Sequence, residues 1–166
     1  MILLKKILVA TDFSEPSDAA FAYGRELARA FGTELLVVHV CDNIITRAFG
    51  GGDGFVFTDP DLQRGVEAAA ERHLDAMLSD EDRSSVGASG VVLTSNAPAF
   101  AIVDYARRNG VDLVVMGTHG RGAVAHLLMG SVAERVVRTA PCPVLTVRHP
   151  EHEFVLPDAL AVVAKA

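Results

Sequence analysis

The stretch from Asp112 to Arg148 constrains the fold of this chain more than any other. Leu113 to Met116 is a short apolar run between Asp112 and Gly117, with the length and branching of a buried parallel strand. Further on, Ser131-Val132-Ala133-Glu134 reads as a capping box, with Ser131 as N-cap and Glu134 at N3. The helix it opens sets Val132, Val136 and Thr139 on one face and stops at Pro141. A second apolar run, Val144 to Val147, completes strand–loop–helix–strand. The intervening loop carries Gly117, Gly120, Gly122 and Gly130, with His119 and Arg121 among them. Glycines let a backbone approach a ligand closely, and a helix start adds orphan N–H donors and the positive end of a dipole. A phosphate site is built in this way.

The rest of the chain repeats the alternation. Ile7 to Ala10 forms a first strand, followed by Thr11-Asp12-Phe13-Ser14. Ser14 and Pro16 start a helix with Ala20, Gly24, Leu27, Ala28 and Phe31 as its inner face, closed by Gly32. Leu35 to Val40 is a second strand. Gly50 to Gly54, with Phe55-Val56-Phe57 beside it, reads as a mobile connection and not as a phosphate loop, since it joins no strand directly to a helix. Asp59-Pro60 opens a helix through Leu78, with Leu62, Val66, Ala69, Ala70, His73, Leu74 and Met77 expected inward. Ser79 to Ser85 reads as a charged surface loop. Val91 to Leu93 is a weaker third strand. The next helix begins around Pro98, buries Ala99, Ile102, Val103 and Ala106, and stops at Asn109-Gly110. Strands alternating with helices specify a doubly wound α/β domain with a parallel sheet.

Composition narrows the function. The 166 residues suit one domain, 50% are hydrophobic and 22% charged, as in ordinary globular chains. The net charge of −6, without a basic stripe, argues against nucleic acid as a partner. No apolar run approaches the ~20 residues that span a bilayer, so no membrane partner is expected. No secretory leader is legible at the amino terminus, which makes the cytoplasm the expected compartment. Cys41 and Cys142 lack metal-ligand spacing and are expected reduced. No Ser/His/Asp or Cys/His catalytic set can be assembled, so no catalytic residue is named. His149 and His152, near Glu151 and Glu153, read as part of a solvated tail.

The spacing Gly117-x-x-Gly120, nine residues, then Gly130-Ser131, after a strand and ahead of a helix, resembles the nucleotide motif of ATP-binding universal stress proteins. The layout from Leu4 to Arg148 is similar to that family throughout. The resemblance implies five parallel strands in the order 3-2-1-4-5 with helices on both faces, a nucleotide-binding domain over 1–148 and a tail over 149–166. Strands 1 and 4 then lie side by side with connections leaving in opposite directions, and ligands bind such folds at that switch point.

By the same resemblance the ligand is ATP, with Mg or Mn. Its phosphates would face Gly117, Gly120, Gly130 and Ser131, with Met116, Thr118, His119, Arg121, Gly122, Ala123 and Val132 around them. Arg121 can pair with a phosphate oxygen. Asp12 matches an acidic residue at the nucleoside end, where it would hold ribose or a divalent ion; Ala10 and Thr11 precede it. Ala10 stands where relatives often carry proline, so its contact would come from the backbone alone. Val40 matches the position whose backbone reads adenine in similar proteins. Asn96-Ala97 replaces the glycine and proline usual before the fourth helical segment.

The resulting expectation is an ATP-binding, dimeric stress sensor or regulator, paired through the edge strand Val144–Val147. Slow ATP hydrolysis or autophosphorylation is the second reading. A dimeric interaction module without nucleotide is the third, and the intact glycine spacing argues against it. No Walker A sequence, no Gly-x-Gly-x-x-Gly after the first strand and no Ser-Gly-Gly-x-Asp-Ser loop is present, which excludes the other common nucleotide architectures.

Overall fold

Short apolar runs become parallel strands here, and the three central ones are buried on both faces while the two outer ones are only partly covered. The computed structural model describes residues 3–44, 60–119 and 129–149. The strands are β1 (Lys6–Thr11), β2 (Glu34–Cys41), β3 (Ser89–Thr94), β4 (Leu113–Gly117) and β5 (Val144–Val147). They form one sheet in the order β3-β2-β1-β4-β5, every neighbouring pair parallel. The helices are α1 (Glu15–Phe31), α2 (Pro60–Met77), α3 (Asp80–Val86), α4 (Pro98–Arg108) and α5 (Ser131–Thr139).

Alternation along the strands divides the core in two. Ile7, Val9, Leu35, Val37, Val115 and Val147 pack against Ala20, Phe21 and Ala28 of α1, Leu74 of α2 and Val86 of α3. On the opposite face Leu8, Ala10, Leu36, Val38, Val114 and Met116 pack against Ala99, Ile102, Val103 and Ala106 of α4 and Ala133 and Val136 of α5. The central strand β1 is sealed on both sides, with Ile7, Leu8 and Val9 fully buried. Its start is pinned to β4 by Asp112, whose Oδ2 accepts from the amides of Lys5 (2.7 Å) and Lys6 (3.0 Å).

The helix α1 follows its sequence closely. Ser14 is the N-cap, its amide donating to Ser17 Oγ at 3.0 Å, and Gly32 ends the helix in the left-handed region (φ 61°). Phe31, expected inward, is 59% exposed, and Ser17 and Phe21 are buried in addition to Ala20, Gly24 and Ala28.

The inner face of α2 departs further from expectation. Ala70 and Leu74 are buried, but Leu62, Val66 and Ala69 are exposed and Gln63 is buried instead. Hydrogen bonds explain the exchange. Gln63 Oε1 accepts from the Ile44 amide (3.0 Å), while its Nε2 donates to the Asp42 carbonyl (3.3 Å) and to Glu67 Oε1 (3.0 Å). The side chain thus satisfies backbone groups where β2 ends, which a leucine cannot do.

The segment 79–85, expected to be a loop, is largely the helix α3. Ser79 and Asp82 form a reciprocal capping box: the Asp82 amide donates to Ser79 Oγ (3.1 Å), and the Ser79 amide to Asp82 Oδ2 (3.1 Å). Asp82 is fully buried and receives Arg29 Nη2 at 2.9 Å. Burial pushes its carboxyl pKa up. The Ser79 hydroxyl and amide, with Arg25 and Arg29, outweigh that and hold it below the usual aspartate value. The connection 50–57 and the tail from residue 150 lie outside the described residues. Among the described residues no helix is long and apolar enough to cross a membrane.

Candidate functional site

Strand register brings the suspected residues to one edge of the sheet. Ala10 pairs with Met116, Thr11 with His39, and Gly117 with Val147. Asp12 just after β1, Val40 on β2 and Gly117 on β4 therefore stand at the carboxyl ends of three adjacent strands. The start of α5 joins them there: the Thr118 amide donates to the Val147 carbonyl at 2.9 Å, and the Gly130 amide to the Thr118 carbonyl at 2.7 Å. Of the expected site residues, Ala10, Thr11, Asp12, Val40, Met116, Gly117, Thr118 and His119 lie at or just past the carboxyl ends of β1, β2 and β4, and Gly130, Ser131 and Val132 at the start of α5. Gly120, Arg121, Gly122 and Ala123 lie outside the described residues.

Two glycines behave differently. A Cβ on Gly117 would lie 2.9 Å from the carbonyl oxygen of Pro16 and 3.0 Å from its carbon. Glycine is needed there so that the first turn of α1 can rest on the end of β4. Gly130 has φ −70° and ψ 152°, extended backbone open to any residue. Its conformation does not require glycine.

The N-cap of α5 is Gly130, one position before the expected cap Ser131, which is instead the first helical residue. The Glu134 amide donates to the Gly130 carbonyl at 2.9 Å, which closes the first turn one residue earlier. The expected Ser131–Glu134 capping box is therefore replaced by an N-cap with no side-chain hydrogen bond. The first turn of α5 therefore starts without a side-chain cap, unlike that of α3. The inner face of α5 is Ala133 and Val136; Thr139 is exposed and bonds back to the Arg135 carbonyl.

The turn after β1 is built around Phe13, the non-glycine residue of positive φ (61°) among the described residues. Such a conformation costs roughly 1–2 kcal/mol. Its ring lies between two imidazoles, His39 at 4.2 Å and His73 at 4.0 Å, the latter within 7° of parallel. The Phe13 amide donates to Thr11 Oγ1 (3.0 Å), and His39 Nδ1 lies 2.9 Å from the Thr11 carbonyl. Beyond the turn, the Ser14 amide (3.2 Å) and hydroxyl both donate to Asp12 Oδ1. The carboxylate is thereby fixed in direction. Sequence reasoning placed His73 in the core and gave Phe13 no role; periodicity along one helix cannot reveal a ring stacked between two other elements.

Other side chains frame the edge. Asn96 accepts from the Asn43 amide (2.8 Å) and donates to its carbonyl (3.2 Å), tying the ends of β2 and β3 together. Thr118 Oγ1 and His119 Nδ1 are 3.0 Å apart. A groove of about 730 Å³ between α4 and α5 begins at Ser131 and Val132 and runs past Phe100 and Arg135 on the outer surface. No group of three His, Cys, Asp or Glu residues suited to a metal occurs among the described residues. Burial raises the thiol pKa of both Cys41 and Cys142, and neither pairs in a disulfide.

Residues 4–148 match the model of the universal stress protein family. The chain belongs to the universal stress protein family. A universal stress protein of Thermus aquaticus is 37% identical over 88% of this chain and the whole of its own length. Among solved structures, MJ0577 of Methanocaldococcus jannaschii superimposes with a TM-score of 0.73 at 26% identity, covering 89% of this chain and 98% of its own. An Archaeoglobus fulgidus universal stress protein solved in complex with dAMP shares the fold (TM-score 0.54, 23% identity, 88% and 99% covered).

Proposed function

We infer that this universal stress protein binds ATP at the carboxyl edge of β1 and β4 and acts as a dimeric sensor or regulator. One observation carries the reading: the first turn of α5 starts without a side-chain cap, at a glycine whose φ does not demand glycine, on the same edge as Asp12. Uncapped helix-start amides suit an anion. The anion would approach Gly130 and the first-turn amides, where a side chain on residue 130 would intrude. Asp12, oriented by Ser14, supplies an acceptor for a ribose hydroxyl, and the backbone of Val40 supplies the edge that reads adenine. Gly120, Arg121, Gly122 and Ala123 complete the phosphate loop in this reading.

Magnesium or manganese would arrive with the nucleotide. A hard cation of this kind keeps several waters and binds substrate phosphates plus one or two carboxylates. Asp12 fits that demand. The fold of the dAMP-bound A. fulgidus protein accommodates an adenine nucleotide, and the residues above are what recommend one for this chain.

The nucleotide-binding unit is taken as 1–148. Dimerisation is assigned to β5, which among the described strands pairs with β4 alone and leaves Leu145 exposed, as is Val137 of α5. A sheet edge bearing apolar side chains favours pairing with a second copy across a two-fold axis. Ultraviolet absorbance and mass spectrometry of the denatured, freshly purified protein test the function. Adenine nucleotide released in proportion to protein supports it; a nucleotide-free chain that also fails to take up added ATP refutes it.

A further inference from the structure

The turn that carries Asp12 is held from a distance. Phe13 adopts a backbone conformation that a bulky side chain avoids, so its surroundings must enforce it. Two helix and strand elements do so. His39 on β2 stacks on one face of the ring and bonds to the Thr11 carbonyl, while His73 on α2 stacks nearly parallel on the other. The residues on either side of Phe13 are Asp12 and Ser14, which are joined through the Asp12 carboxylate. Rotation of Phe13 out of its left-handed conformation would turn the Ser14 amide and hydroxyl away from Asp12 Oδ1.

We propose that His73, acting through the stacked ring of Phe13, is a positioning residue for the Asp12 carboxylate, so that α2 forms part of the nucleotide site without touching the ligand. This rests on the ATP reading for its functional consequence, but its structural content stands apart from it. His73 is solvent-accessible, so it can be replaced at little cost to the core: Ala70 and Leu74 on the same helix supply the buried contacts. A histidine-sized flat ring is what the stack requires, and protonation is not. Phenylalanine at 73 should serve as well.

The experiment combines His73→Ala and His73→Phe with Asp12→Ala in the full chain. Affinity for MgATP is read by calorimetry, and exchange of the Ser14 amide is read by NMR without nucleotide. His73→Ala should weaken ATP binding about tenfold, in the middle of the range for directly coupled neighbours. The same change should have no effect once Asp12 is alanine. His73→Phe should restore affinity, and the Ser14 amide should exchange faster in His73→Ala alone. Equal loss with and without Asp12, or unaltered Ser14 exchange, overturns the proposal. If the parent chain binds no ATP, the ATP reading fails by itself, and Ser14 exchange still decides whether His73 holds the turn.

Discussion

Replacing Gly130 by valine separates a phosphate site from a turn that merely happens to contain glycine. With φ −70° and ψ 152° the position lies in the region β-branched residues favour, so no backbone strain is introduced. The cost to folding comes from the N-cap, where glycine is preferred over valine by about 1 kcal/mol. For a chain of this size that lowers the melting temperature by roughly 2–4 °C. The effect on binding is larger. If the valine side chain takes the place of a phosphate and breaks two charge-assisted contacts at ~1.5–3 kcal/mol each, affinity falls by about a hundredfold or more. Calorimetric ATP titration beside a thermal melt measures both. Gly117→Ala supplies the contrast, because its Cβ would meet the Pro16 backbone at 2.9 Å and force α1 to shift. That change should lower stability by about 1–3 kcal/mol. Unchanged ATP affinity in Gly130→Val, or a fall in its melting temperature well beyond about 4 °C, would refute the reasoning.

Asp82→Ala should destabilise the fold by about 2–3 kcal/mol, because it removes the α3 cap and leaves Arg29 and the Ser79 donors without their shared acceptor; urea denaturation checks this. The Asp82 pKa is lower in the folded chain than in the unfolded one, so the unfolded state binds more protons between the two values. Its stabilisation is therefore complete above the unfolded pKa of about 4 and is lost as pH falls through the folded value. Denaturation from pH 7 down to pH 2 should accordingly show a shallower acid loss in Asp82→Asn than in the parent. Both thiols should react with iodoacetamide at pH 7.5 more slowly than free cysteine, since burial raises their pKa, and should reach its rate in urea. Light scattering at micromolar protein should give a dimer mass for the parent and a monomer mass for Leu145→Lys, while a monomeric parent would remove the basis for assigning β5 to the interface.

Much of the fold is legible because buried parallel strands are written as continuous apolar runs. Ile7 to Ala10, Leu113 to Met116 and Val144 to Val147 mark their own positions. The face of α4 is legible for a related reason, since Ala99, Ile102, Val103 and Ala106 carry both helical spacing and burial. Periodicity failed where a polar residue earned its place by hydrogen bonds: Gln63 is buried because β2 ends beside it, and Leu62 is left in solvent. The polar α3 has no apolar period to read, yet its Ser79-x-x-Asp82 pairing was present in the sequence and marks the helix start. At α5 two adjacent residues, Gly130 and Ser131, are both acceptable caps, and the choice between them depends on which carbonyl Glu134 reaches. The arrangement of the site edge follows from strand order. The Phe13 turn does not, because its stabilising rings come from two other elements, β2 and α2.

Chemical-shift mapping tests the site most directly. Nucleotide-stripped protein would be titrated with MgATP while backbone amides are followed by NMR. The account predicts saturable shifts at Asp12, Val40, Thr118, Ser131 and Val132, at the carboxyl edge of β1, β2 and β4 and the start of α5. Shifts confined to the outer groove near Phe100 and Arg135, or no saturable shift at any amide, would contradict it.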